Sequence, residues 1–161
     1  MVKKLTVELP VHLRKFYMVE YDGVEINKNG KTEYVISVEK SSEVGKLIHL
    51  IARPIPFTQE RKEIAGSKLS ILYSAREKAY EVPVDKLRLL SLQLDEIFRR
   101  TMICEVRSVH EVTGGDYAPF VKQVLHRRNI EIDVDIDYQT ARKIYRDYLE
   151  KIAKKNHKIY A

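Results

Sequence analysis

The stretch from Val84 to Val112, VDKLRLLSLQLDEIFRRTMICEVRSVHEV, constrains this chain more than any other. Leu87, Leu90, Leu94, Ile97 and Phe98 recur three to four residues apart, the spacing of one helix face. Leu89, Leu92 and Met102 widen that stripe, so two sides of the helix are expected to be covered. Pro83 stops the preceding element and Asp85 is a candidate cap. Gly114 and Gly115 end the helix, because left-handed backbone angles cost glycine little. At 1.5 Å per residue such a helix spans about 40 Å, enough to cross a small domain. The last third, Thr101 to Val112, is rich in β-branched residues, and a strand ending at Gly114 is the competing reading there.

The rest of the chain alternates between strand and helix patterns. Leu5, Val7 and Leu9 alternate with Lys4, Thr6 and Glu8, as in a half-buried strand. Leu13, Phe16 and Tyr17 then give a helical stripe, with a strand through Val19 and Tyr21 as its rival. Asp22-Gly23 and Asn29-Gly30 are turn signals bracketing an exposed hairpin or loop. Tyr34, Ile36 and Val38 alternate again. Ser41 and Ser42 offer a serine cap to a short helix carrying Val44, Leu47, Ile48 and Ile51, stopped by Pro54. Residues 54–67 read as a loop with a helical turn near Gln59 to Ile64. Leu69, Ile71 and Tyr73 pair with Ala79 to Val84 in an expected hairpin.

After the long helix, Asp116 is the expected cap of a segment with Pro119 in its first turn and Phe120, Val121, Val124 and Leu125 along one edge. The last helix is expected from Tyr138 to about Lys155. The fold class that follows is α+β. A small antiparallel sheet with two short helices fills residues 1–83, and a long central helix with a C-terminal helix pair fills 84–161, the whole forming one domain.

Charge and composition narrow the function classes. The 161 residues carry 29 basic and 23 acidic side chains, a net charge of +6, which permits binding to phosphate backbones. Cys104 is the lone cysteine, expected as a small buried hydrophobe, and it excludes an internal disulfide or a cysteine-rich zinc site. No apolar run has the length of a membrane span and no signal-peptide core follows the basic first residues, so a cytoplasmic protein without membrane contact is expected.

No constellation for chemistry emerges, and the expectation is no enzyme, no cofactor and no metal. Asp133, Asp135 and Asp137 begin like a calcium loop, but Tyr138 replaces its glycine and Ile144 its glutamate. His49 has no partner nucleophile or carboxylate motif, and His110 and Glu111 are adjacent, so they diverge on a helix.

The functional lead lies in the last two helices. From Asp137 to Ala161 there are seven basic and three acidic residues, interleaved with Tyr138, Tyr145, Tyr148 and Tyr160. Arg142, Lys143, Arg146 and Lys154 occupy the arc opposite the apolar stripe, and Arg127 and Arg128 crowd the end of the preceding helix. These six residues are the candidate nucleic-acid contacts. The tyrosines are candidates for stacking on bases. Asp147 with Lys151, and Glu150 with Lys154, have the spacing of intrahelical ion pairs. The plainer reading is a solvated charged face over a tyrosine-containing core. The connection between the two helices is too long for a standard helix-turn-helix, so any such motif would be a loose variant. The rival function is a structural or interaction protein, self-associating through the long helix as a homo-oligomer.

The segments LPVHLRKFYMVEY, SSEVGKLIHLI, YEVPVDKL and FVKQVLHRRNI followed by YQTARKIYRDYLEK occur here in an order that resembles small uncharacterised proteins of prophages or mobile elements in Bacteroides-type bacteria. The resemblance implies a mobile-element context, raises the expectation of DNA binding and carries over no active site.

Overall fold

The computed structural model describes residues 1–55, 61, 63–75 and 80–160. The chain divides into two units, Met1–Asp95 and Glu96–Ala161, and the division falls inside the long helix rather than at residue 83. The α+β class holds.

In the first unit, strand β1 (Val2–Glu8) leads into helix α1 (Val11–Glu20), hairpin strands β2 (Val24–Lys28) and β3 (Lys31–Val38), helix α2 (Glu43–Ile51) and strand β5 (Lys68–Ser74). Two short strands, β4 (Arg53–Pro54) and β6 (Tyr80–Glu81), pair with each other. The order across the main sheet is β1-β5-β3-β2. The hairpin turn places Asn29 and Gly30 at φ of 51° and 72°, the left-handed angles that a tight two-residue turn requires. Helix α1 replaces the strand alternative through Val19 and Tyr21.

The core follows the alternation. Leu5, Val7, Ile36, Val38, Leu69 and Ile71 share the buried side of the sheet, with Leu13, Phe16 and Tyr17 of α1 also buried. Register explains the shared side: Leu5 lies opposite Ile71 and Val7 opposite Leu69, while Ile36 is level with Ile71 on the other flank.

Two expectations about this sheet are corrected. It is mixed, not antiparallel, because β3 and β5 run parallel. A parallel pair needs a long crossover, and α2 with the segment after it supplies one. The hairpin expected between residues 69–73 and 79–84 does not form, since β6 pairs with β4 and not with β5. Ala79 itself, and Gln59, Glu60 and Lys62 of the expected helical turn, lie outside the described residues, while Arg61, Glu63 and Ile64 are not helical.

Helix α3 (Leu87–Thr113) follows a 3-10 turn over Val84–Lys86, so Asp85 lies within that turn and Pro83 takes the cap position. It is helical through Thr113, which displaces the strand alternative, and Gly114 and Gly115 end it at φ of 66° and 76°. Leu90, Leu94, Phe98, Met102 and Val106 are buried along it. Its second side is not fully covered: Leu89 and Leu92 are 40% and 54% exposed. Cys104 is exposed as well, on the outward side of the helix, and not a buried hydrophobe.

The second unit contains the rest of α3, helix α4 (Ala118–Arg127) and helix α5 (Tyr138–Tyr160). Tyr117 and not Asp116 takes the cap position of α4, although the Asp116 carboxylate accepts from the Ala118 N–H at 3.0 Å. Val121, Val124, Leu125, Ile130, Ile136, Ala141, Ile144 and Tyr145 complete the buried set with the second half of α3. Helix α5 runs five residues beyond the expected Lys155.

Candidate nucleic-acid interface

The connection between α4 and α5 is built by its aspartates. Asn129 and Asp133 adopt φ of 56° and 63°, which short polar side chains tolerate best. Each acidic side chain then serves a different backbone amide. Asp135 Oδ2 accepts from Glu131 N at 2.8 Å, Asp133 Oδ1 from Tyr138 N at 3.0 Å, and Asp137 Oδ2 from Thr140 N at 3.0 Å. The last of these caps α5. Ile130 and Ile136 are buried on either side of the turn. The calcium-like spacing is therefore turn and cap chemistry. Among the described residues, no group of three or more His, Cys, Asp or Glu side chains could hold a metal ion.

The basic residues separate into distinct roles. Arg128 is buried, with its side chain only 9% exposed, and both guanidinium nitrogens grip Glu105 of α3. The Nη1 contact to Glu105 Oε2 measures 2.9 Å. This is an internal fork-to-carboxylate pair, so Arg128 is withdrawn from the candidate contacts. The pattern contains the signal for it: Val121, Val124, Leu125 and Arg128 continue one stripe at i, i+3, i+4 and i+7, the spacing of an inward face. Arg127 is one position round, exposed, with Nη2 at 3.7 Å from Glu105 Oε2.

On α5 the separation continues. Arg142 is half-buried, with its guanidinium carbon 5.8 Å from the Tyr117 ring centre. Lys143 and Lys154 are exposed on nearly the same azimuth, eleven residues or about three turns apart. Arg146 is exposed and lies 3.8 Å from Asp147 Oδ1. That contact uses the aspartate that the sequence spacing would have given to Lys151.

Three further lysines lie outside the sequence candidates: Lys151, which spacing gives to Asp147, and Lys155 and Lys158, at and beyond the expected end of the helix. With Lys154 they stand at i, i+3, i+4 and i+7, one face of the helix, all exposed. None of the four makes an ion pair within 4.0 Å among the described residues.

The tyrosines face the other way. Tyr145 is buried, its ring centre 5.0 Å from that of Tyr117 and 5.8 Å from that of Tyr148. His110 joins them through Nδ1, 2.9 Å from the Tyr145 hydroxyl, while its Nε2 lies 3.1 Å from the Gly115 carbonyl. A carbonyl only accepts, so in neutral His110 Nε2 carries the hydrogen and Nδ1 accepts from Tyr145. Burial raises the Tyr145 pKa above its ordinary value, with neighbouring Tyr148 adding to the effect. Lys122 Nζ lies 5.0 Å from the Tyr138 ring centre. Four of the rings are thus committed within the unit, and Tyr160 is exposed.

Comparison with family models, curated proteins and solved structures finds no match. His49 is exposed on α2 beside an open recess lined by Lys40, Ser41, Lys46 and Leu50, where the Ser41 hydroxyl donates to the Glu39 carboxylate at 3.5 Å. No helix among the described residues is long and apolar enough to cross a membrane.

Proposed function

We propose that this chain is a non-enzymatic nucleic-acid-binding protein, with DNA as its ligand, acting in the cytoplasm in a mobile-element context. Its contacts are the exposed cations of α5: Lys143, Arg146 and the lysines at 151, 154, 155 and 158, with Arg127 of α4 beside them in sequence role but partly neutralised by Glu105. The observation that carries the reading is the row of four lysines with no carboxylate partner among the described residues. A solvated helix face ordinarily mixes signs and closes i, i+4 pairs. A face that leaves one sign uncompensated suits a ligand that brings the other, and phosphate backbones do so at regular spacing.

The test is fluorescence anisotropy of labelled oligonucleotides across a salt series. Binding should weaken steeply as salt rises, since each neutralised phosphate releases counterions, with a log–log slope of about 0.9 per contact. Lys143→Ala with Lys154→Ala should flatten that slope by roughly two units. Absence of salt-sensitive binding to any nucleic acid at low salt would overturn the reading.

One observation favours a second reading. Leu89 and Leu92 are three residues apart on α3 and both are exposed, a small apolar ridge of the kind that pairs helices. An interaction protein assembling there would self-associate with rising concentration, and added salt would not dissolve the assembly.

A further inference from the structure

We infer that the nucleic acid is a B-form DNA duplex and that the last three turns of α5, residues 150–160, lie in its major groove. The inference rests on the nucleic-acid reading above and specifies its ligand.

The first support is exposure. Every residue from Glu150 to Tyr160 is exposed, whereas Ala141, Ile144 and Tyr145 earlier in the same helix are buried. Only the later part of α5 is open on all sides, as a helix entering a groove must be. An α-helix with side chains is about 10–12 Å across, and the B-form major groove is about 12 Å wide. The four lysines lie within this part of the helix, on one side of it, where one phosphate strand flanks the groove.

The second support is the state of the aromatic side chains. Binding to single strands draws its affinity from rings on which unstacked bases lie. Here Tyr117, Tyr145, Tyr148 and His110 contact one another, and the Tyr145 hydroxyl is hydrogen-bonded to His110. That leaves Tyr160 as the exposed ring of α5, and one ring makes no platform. A paired duplex asks for none. An RNA duplex is disfavoured for a different reason: its major groove is deep and too narrow for the helix. Lysines on phosphates carry no sequence information, so preference among duplex sequences should be weak.

The experiment uses the full chain and one sequence presented as DNA duplex, DNA single strand and RNA duplex at the same salt. The DNA duplex should bind tightest, by about tenfold or more. Methyl green, which occupies the major groove, should displace the protein, and netropsin, which occupies the minor groove, should not. The double variant Lys151→Glu, Lys155→Glu should lose about tenfold or more in duplex affinity. Its circular dichroism and melting temperature should match the parent, since both side chains are exposed. Equal or tighter binding to the single strand or the RNA duplex overturns this inference and leaves the nucleic-acid reading standing. Displacement by netropsin alone does the same, whereas an unchanged affinity in the double variant overturns this inference together with the lysine row that carries the nucleic-acid reading. Failure to bind all three overturns the parent reading as well.

Discussion

Tyr17 of α1 donates its phenolic hydrogen to the main-chain carbonyl of Leu94 in α3, at 2.6 Å. The ring is buried, so this hydroxyl has little access to water. The bond fixes α1 against the start of the long helix by polar chemistry as well as apolar contact.

Tyr17→Phe should therefore destabilise the fold by about 0.5–1.5 kcal/mol in urea unfolding, the usual worth of a buried neutral hydrogen bond. The same hydroxyl predicts a loss of stability in alkali. Burial raises its pKa well above the ordinary 10.0, and the charges of Tyr21 and Glu43 add to this. The folded state holds the proton more tightly than the unfolded one. Its contribution is complete below pH 10 and declines as pH rises beyond that value. Tyr17→Phe should abolish that part of the alkaline decline, and an unchanged profile would show that other groups cause it.

Gly45→Ala should destabilise, against the usual trend. Replacing glycine inside a helix normally gains up to about 1 kcal/mol. Here a Cβ would overlap the backbone carbonyl oxygen of Glu39, and backbone yields less readily than a side-chain tip. Ser42 Oγ also donates to that carbonyl, at 2.6 Å, so moving it disturbs the cap of α2. A cost of about 1–3 kcal/mol is expected, as for other overpacked positions. A melting temperature at or above the parent's would contradict it.

Arg128→Ala and Arg146→Ala should separate cleanly. Losing Arg128 leaves Glu105 without its main partner in a partly buried place, which should cost about 1–3 kcal/mol. Losing Arg146 removes an exposed cation, and the change should stay within about 0.5 kcal/mol. In binding assays the order should reverse, with Arg146→Ala weakening DNA affinity and any folded Arg128 variant retaining it.

Leu90 and Leu94 are both fully buried on α3. Truncating either to alanine should cost about 2–5 kcal/mol, and a loss near that of a surface change would mean the cavity closes by rearrangement. Leu92→Ala, on the exposed side, should cost far less.

Long-range pairing was the least legible part of the fold. The stripe of Leu90, Leu94 and Phe98 located α3 because helical period is a local property of sequence. The alternation of Ile36 and Ile71 located their strands and their inward sides, but alternation names no partner and no direction. The parallel joining of β3 to β5, and the two-residue pairing of β4 with β6, depend on how the chain returns across a crossover. At the candidate interface, the basic helix was visible and its sorting was not. Arg127 and Arg128 are chemically identical neighbours, and only the stripe begun by Val121 tells which one turns inward. Spacing suggested that Asp147 would neutralise Lys151, yet Arg146 takes that carboxylate, because geometry and not spacing decides among competing cations.

Helix α3 runs unbroken across the division between the two units. Starting a helix is the costly event, and extending one is not. As one 27-residue helix, α3 needs that start only once. A chain cut at the division would have to begin that helix afresh, with its first amides bare.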